Sequence, residues 1–512
     1  MADGTDAADP DTGRQPTTTR IADALNKALR NPSAMIIANS GTQSVLRMGS
    51  NIVLARLLAP SAFALIAITT LILTGIQMVS DVGIAVTALR EGEMSREDEH
   101  KLWTMQLIRG IVVGLLMVAA AVPVGWIYND PQLRDIMYAL ALMPILQGAQ
   151  SLYPVLALGY RRLLPSTLLE VGTRVAGMIC SILFAFLSPT VWSLVTGTLA
   201  GVVFSTIGSH LLAGYRPRFV VDRAYIGNQW RFSRWIQTSS TLYFLSGQID
   251  KALFPFLFGM NALGVYGIGA ALAGMPAQVT QRWSASVFYP LAVQLLRGDR
   301  AARTQLIRIR TTMLLYSAIM TLTVVAIAPT FFTLLYETRY HAAARFAQIL
   351  ALGIYFDVGE SSLRHLPLVE GTPHFEVWSI VSRLVAFAVA GSAVFAFGGN
   401  AATYALAVVF STSIGHFFML VVCVRRGYLR ARSDLLITMP LIAGTAALYF
   451  LPLPRTSSWA MVAEGAVIGV IAVSALIVTY FSRGLPSLPA EPAPAVLREA
   501  AEEELDAVPT AV

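Results

Sequence analysis

The chain runs to 512 residues, of which 55% are hydrophobic and only 13% charged. A soluble domain carries about 25% charged residues, so a water-soluble fold is excluded, and the formal charge of +7 reflects loop placement rather than a nucleic-acid partner. Cys180 and Cys423 both fall in apolar stretches and make neither a disulfide framework nor a metal pattern, so no cofactor or metal is expected.

Residues 1–32 are polar, lack a signal-peptide pattern, and are expected to form a disordered cytoplasmic N-terminus. Fourteen apolar stretches follow, each long enough to cross a bilayer as a helix. They are placed at 33–57, 61–89, 102–128, 133–158, 163–187, 189–214, 229–258, 261–292, 311–336, 343–368, 373–398, 400–424, 434–453 and 458–482. Breakers sit between them: Pro60, Asn129-Asp130-Pro131, Ser188-Pro189, Gly259, Gly298, Gly371-Thr372-Pro373 and Gly398-Gly399-Asn400. Residues 483–512 are Pro-rich and then acidic, a composition that stays disordered. The fold class is therefore an all-α integral membrane protein of about 14 transmembrane helices.

Basic residues fix an orientation. With the N-terminus inside, the inner loops hold clusters such as Arg216, Arg218, Arg223, Arg231 and Arg297, Arg300, Arg303, Arg308, Arg310. The outer loops hold Arg134, Arg339, Arg345 and Arg455. This bias places both termini in the cytoplasm of a multi-pass protein. The outer loops are too short to fold as a domain, so any site lies among the helices.

An internal repeat is visible. Val203-Phe204-Ser205-Thr206-Ile207-Gly208-Ser209-His210 recurs as Val409-Phe410-Ser411-Thr412-Ser413-Ile414-Gly415-His416, with looser matches upstream at a similar offset. Spans 1–6 thus correspond to spans 7–12. An N-lobe at 33–214 and a C-lobe at 229–424 are expected, joined by a linker at 215–228 and related by a pseudo-two-fold along the membrane normal. Spans 13 and 14, at 434–482, fall outside the repeat. Sites in two-lobed transporters lie at the lobe interface near the midplane. His210 and His416, at matching inner span ends, are expected at the membrane interface.

The run from Asn51 to Phe63, with Arg56, Pro60 and Phe63, resembles the first-loop signature of Wzx-type polysaccharide flippases, members of the multidrug/oligosaccharidyl-lipid/polysaccharide exporter superfamily. Gly247-Gln248-Ile249-Asp250-Lys251 and Leu263-Gly264-Val265-Tyr266 resemble the start of its second lobe; Ala64 departs from the family's usual glycine. The resemblance implies a bacterial inner-membrane transporter, not an enzyme. It would flip an undecaprenyl-pyrophosphate-linked oligosaccharide by alternating access, for exopolysaccharide, capsule or O-antigen. Membrane lipid, a polysaccharide polymerase and a chain-length regulator are the implied partners.

Charged residues inside the spans are the candidate site, because a charge at the bilayer centre costs several kcal/mol and marks a pathway by default. Arg47, Arg174, Arg282 and Arg383 fall near the midplane, with Asn51 one turn beyond Arg47. Arginine stays charged when buried and offers a planar fork to phosphate oxygens, so these residues are candidates to line a cationic cavity. Glu170 with Arg174 and Glu360 with Arg364 are also spaced i,i+4 and can neutralise one another. Asp81, Asp250, Asp357 and Glu360, with Glu376, either couple transport to an ion or balance the arginines. Arg56 and Arg109, near span ends, are expected to snorkel to headgroups. None of Lys27, Lys101 and Lys251 sits in a phosphate-binding glycine loop. Two rival functions remain: a cation-coupled multidrug or metabolite antiporter of the same superfamily, and a membrane polymerase or glycosyltransferase.

Overall fold

The computed structural model describes residues 32–80, 95–159, 163–214, 216–275, 300–372, 374–429 and 431–450, together with 277, 280, 288 and 291–295. Span 14, the first 31 residues, the tail, Asp81 and Arg282 lie outside the described residues.

Every long element among these residues is a helix: α1 Pro32–Leu57, α2 Pro60–Val79, α3 Arg96–Ile127, α4 Pro131–Leu140, α5 Leu142–Ala149, α6 Tyr153–Gly159, α7 Leu163–Leu187, α8 Trp192–Ala213, α9 Arg223–Ala273, α10 Arg300–Leu335, α11 Ala343–Leu363, α12 His365–Val369, α13 His374–Ala396, α14 Ala401–Arg425 and α15 Ala431–Phe450. Nine described helical stretches are long and apolar enough to cross a membrane. The chain is a multi-pass membrane protein.

The breakers act as local chemistry dictates. Pro60 and Pro131 open α2 and α4, where a missing N–H costs nothing. The Asp130 carboxylate accepts from Gln132 N at 2.9 Å, and the Asn400 side chain accepts from both Ala402 N and Thr403 N. These bonds satisfy backbone donors that a helix start leaves orphaned. Gly259 lies in the left-handed region, with φ of 80°, and turns the chain sharply between the two legs of α9.

The fourth span is not one helix. It runs as α4, α5 and α6, with the backbone leaving helical geometry at Gln150. Its counterpart in the repeat, α11, runs unbroken to Leu363 and continues into α12.

The two lobes meet along α2 and α9, and the largest buried cluster spans both, joining Leu58, Ile68, Phe254, Tyr266, Tyr340 and Tyr404. At the Pro60 end the fit is close. A Cβ at Gly264 would overlap the carbonyl of Pro60, so only glycine allows this approach. The two segments that carry the family resemblance therefore touch.

The matching histidines both face the fourth span of their own lobe. His210 contacts Ala149 O at 2.9 Å, and the His416 ring packs on Gly359. That supports the repeat. It also corrects the expected interfacial position of His416, which is fully buried beside Phe356 and Phe417.

Candidate functional site

α1 and α7 pack side by side and bring two cations together. Arg47 and Arg174 repel each other electrostatically, and no carboxylate of a described residue bridges either one. Arg174 is exposed and donates to the Gln43 side chain at 3.2 Å. The i,i+4 pair with Glu170 does not form. Glu170 turns to Asn39, accepting from its amide at 2.7 Å. A carboxylate satisfied by a neighbouring helix leaves the guanidinium one turn away available.

Arg47 and Asn51 also line a small cavity between the lobes. Its other walls are Ile268 and Leu272 of α9 and Phe331, Phe332 and Tyr336 of α10. The cavity holds about 20 Å³, room for little more than a water molecule. The space as it stands is too small for a diphosphate.

The Pro60 end closes above it. Arg56 Nε donates to Leu335 O at 3.3 Å, and Arg339 Nη2 donates to the carbonyls of Ala55 and Arg56 at 3.3 Å each. Tyr340 Oη donates to Leu58 O at 2.8 Å, and Tyr128 Oη donates to Ala252 O at 2.9 Å. These bonds cross between the lobes, and those to Leu335, Ala55, Arg56 and Leu58 satisfy carbonyls at helix ends. Arg56 therefore acts on a facing helix rather than reaching for headgroups. So does Arg109, which donates to Ser80 O and Gln77 O at 2.9 Å each.

Arg383 does not belong with the free cations. It is 5% exposed and bridges Asp357 at 3.0 Å and Glu360 at 3.2 Å. Ser379 Oγ adds a 2.8 Å bond to Glu360. A Cβ on Gly415 would come within 2.6 Å of the Arg383 side chain, so α14 must carry glycine there. Placing Arg383 in a cationic cavity is corrected on this geometry: two carboxylates surround it. Glu360 accordingly does not pair with Arg364, whose guanidinium lies 3.7 Å from Glu376. Asp357 and Glu360 both pair with Arg383.

Asp250 is buried and accepts from Tyr266 Oη at 2.6 Å, while Tyr404 Oη donates to its backbone carbonyl. It is a hydrogen-bonded core residue where α9 meets α14.

A second buried ion pair has no local signature in the sequence. Arg310, read as an inner-loop residue, lies inside α10 and is 2% exposed. It pairs with Asp434 of α15, and donates to Gly359 O at 2.8 Å and to Ser362 Oγ. The partner is 124 residues away; the signal available was an Asp at the start of an apolar span.

With this geometry in place the comparisons with known proteins are decisive. The model of a family described as polysaccharide biosynthesis protein matches residues 53–345. The chain belongs to this family. The curated relatives of this polysaccharide biosynthesis protein are distant. Succinoglycan biosynthesis transport protein ExoT of Rhizobium meliloti (strain 1021) is 22% identical over 285 residues, 55% of this chain and 57% of its own length. The chain thus spans little more than half of that relative. Lipopolysaccharide biosynthesis protein WzxC of Escherichia coli (strain K12) is 20% identical over 386 residues, covering 72% of this chain and 76% of its own. Among solved structures, the lipid II flippase MurJ in an inward closed conformation superposes with a TM-score of 0.65 at 10% identity, covering 87% of this chain and 98% of that one. An inward-facing MATE family multidrug transporter of the MOP superfamily gives 0.52 at 13% identity, covering 79% and 96%. These likenesses show the two-lobed helical fold.

Proposed function

We propose that this polysaccharide biosynthesis protein flips a lipid-linked oligosaccharide across the bacterial inner membrane by alternating access. The observation that carries the reading is the pair Arg47 and Arg174: two guanidiniums brought together with no carboxylate of a described residue between them. Taking a diphosphate out of water is prohibitive without cationic partners. Arg47 and Arg174 supply them, with Asn51 and Gln43 as neutral donors beside them. Arg282 joins this set as a proposal from sequence alone.

The Pro60 end is assigned to the outside by the basic-loop rule, so the closure there leaves the site to load from the cytoplasmic leaflet. The lipid tail stays in the bilayer. An inside-negative potential favours outward movement of the anion by about 2.3 kcal/mol per charge per 100 mV, which drives the cycle without a nucleotide. WzxC and ExoT carry names of lipopolysaccharide and succinoglycan biosynthesis, and the product here falls in the same class of exported polysaccharide. A polymerase and a chain-length regulator are proposed to act on the flipped unit.

A cation-coupled multidrug or metabolite antiporter of the same superfamily needs an acidic cavity. The membrane carboxylates Asp357 and Glu360 are engaged by Arg383, which disfavours that reading. The test is a deletion strain complemented with wild type or Arg47→Ala. Lipid-linked repeat units accumulate on the inner leaflet in the deletion strain and with Arg47→Ala, and clear with wild type. No accumulation in the deletion strain contradicts the proposal.

A further inference from the structure

The break in the fourth span, where α5 ends at Ala149 and α6 begins at Tyr153, opens a second cavity of about 350 Å³. It lies at the end of the N-lobe opposite the Pro60 turn. Ligand pockets usually run from about 300 to 1,000 Å³, so this one is of ligand size. Its polar lining is almost entirely amide: Gln77, Gln106, Gln147 and Gln150, with Ser151 and Arg109.

The break is secured rather than frayed. Irregular backbone at membrane depth persists only where its polar groups are satisfied. Here neighbouring helices satisfy them. Gln106 Nε2 donates to the carbonyls of Gln147, Gly148 and Gln150, and Trp103 Nε1 donates to Ala149 O. Ser151 N donates to Ser209 Oγ at 3.0 Å. α3 and α5 touch backbone to backbone, since a Cβ on Gly110 would strike the Pro144 carbonyl.

Arg109 is the one charged residue of the lining, and its donation to the last carbonyls of α2 fixes the guanidinium there without neutralising it. The amides remain. Gln77 Nε2 donates to Gln147 Oε1 at 3.1 Å, which leaves Gln77 Oε1 and Gln147 Nε2 without partners among the described residues. The Gln150 side chain has none there either. Amides that both donate and accept match hydroxyl groups, which do the same. Val113 and Pro154 supply an apolar wall for the C–H face of a sugar ring. Gly75, half a turn before Gln77, meets Phe244 of the second lobe from the opposite face of α2, so the cavity lies on the N-lobe side of that helix.

We propose that this amide-lined cavity binds the neutral sugars of the lipid-linked substrate, apart from the arginines that hold its diphosphate. The assignment rests on the flippase reading above. It adds a specificity element: glycan length and hydroxyl pattern are read in the N-lobe, and the lipid diphosphate elsewhere.

The experiment uses the full-length protein in lipid nanodiscs and three probes: undecaprenyl pyrophosphate, the same lipid bearing a neutral tetrasaccharide, and the free tetrasaccharide. Wild type is expected to bind the glycan-bearing lipid about 10-fold more tightly than the bare lipid, as one or two well-made hydrogen bonds allow. Gln150→Leu and Gln147→Leu are expected to erase that gain while leaving bare-lipid affinity unchanged; the thermal midpoint stays put for Gln150→Leu and falls slightly for Gln147→Leu, which also breaks the bond from Gln77. If either variant keeps the gain, or if bare-lipid binding falls in parallel, the subsite is refuted. Equal affinity for the free tetrasaccharide also refutes it, making the cavity a free-sugar site. Wild type that binds the bare lipid with no gain from sugar overturns the subsite alone. Wild type that binds neither lipid overturns the flippase reading and the subsite with it.

Discussion

Arg56 and Arg339 exchange caps across the lobe interface: each guanidinium donates to the last carbonyls of the helix on the other side. Four carbonyls cannot all be satisfied inside their own helices at these ends, so closing the Pro60 end satisfies orphans on both lobes at once. Opening returns them to water. The closure is thereby reversible at modest cost, which a transport cycle requires.

Arg339→Ala removes one half of this exchange. A partly exposed hydrogen bond of this kind contributes about 1 kcal/mol net, so the population open at the Pro60 end should rise about 5-fold. A cysteine placed at Ala271, which lines the small cavity below the closure, reports on it. In a background with Cys180 replaced by alanine, an impermeant thiol reagent added outside should label Arg339→Ala several times faster than its parent.

Tyr340→Phe tests the same closure through a buried bond, since Tyr340 Oη donates to Leu58 O and the residue is 0% exposed. Loss of a buried partner leaves the Leu58 carbonyl unsatisfied and costs about 1–3 kcal/mol. Faster labelling at position 271 together with a lower thermal midpoint is the expected result. Arg339→Ala, at the rim, should leave the midpoint nearly unchanged.

The pair Arg310 and Asp434 fastens α15 to the C-lobe. Breaking a buried ion pair by removing one partner costs about 3–5 kcal/mol, whereas replacing both by apolar residues is often neutral. Asp434→Ala should therefore reduce folded protein in the membrane sharply. The double change Arg310→Met with Asp434→Leu should recover most of it, as followed by thermal unfolding of the purified protein.

Arg383→Ala and Arg47→Ala should fail in different ways. Arg383→Ala strands Asp357 and Glu360 in the interior and should lower folded yield, with partial recovery when both acids become amides. Arg47→Ala strands no buried acid and should leave yield intact while abolishing complementation. Membrane abundance measured beside complementation separates the two.

The spans and breakers are legible because they are local: Asp130-Pro131 and Asn400 act within a turn of themselves, and Gly259 needs only its own φ; the repeat is legible as one pattern written twice in the chain. The family-like segments at Asn51–Phe63 and Leu263–Tyr266 were legible as a pattern, and the contact of Gly264 with Pro60 gives their physical reason. Charge pairing was not legible. Spacing proposed Glu170 with Arg174 and Glu360 with Arg364, yet Glu170 is satisfied by Asn39 131 residues away and Glu360 by Arg383. Facing helices fix a side chain's partner more strongly than its own helix does. The break at Gln150 is flanked by Gly148 and Pro154, but its stability comes from Gln106, Trp103 and Ser209 on other helices, which spacing along the chain does not reveal.

The central claim is that Arg47 and Arg174 hold a diphosphate in concert. Its most direct test is the affinity of the purified full-length protein for undecaprenyl pyrophosphate, compared across wild type, Arg47→Ala and Arg174→Ala. Each substitution should weaken binding about 10- to 100-fold, the value of a charge-assisted hydrogen bond, with no change in thermal midpoint. Wild-type affinity in both variants would contradict the account.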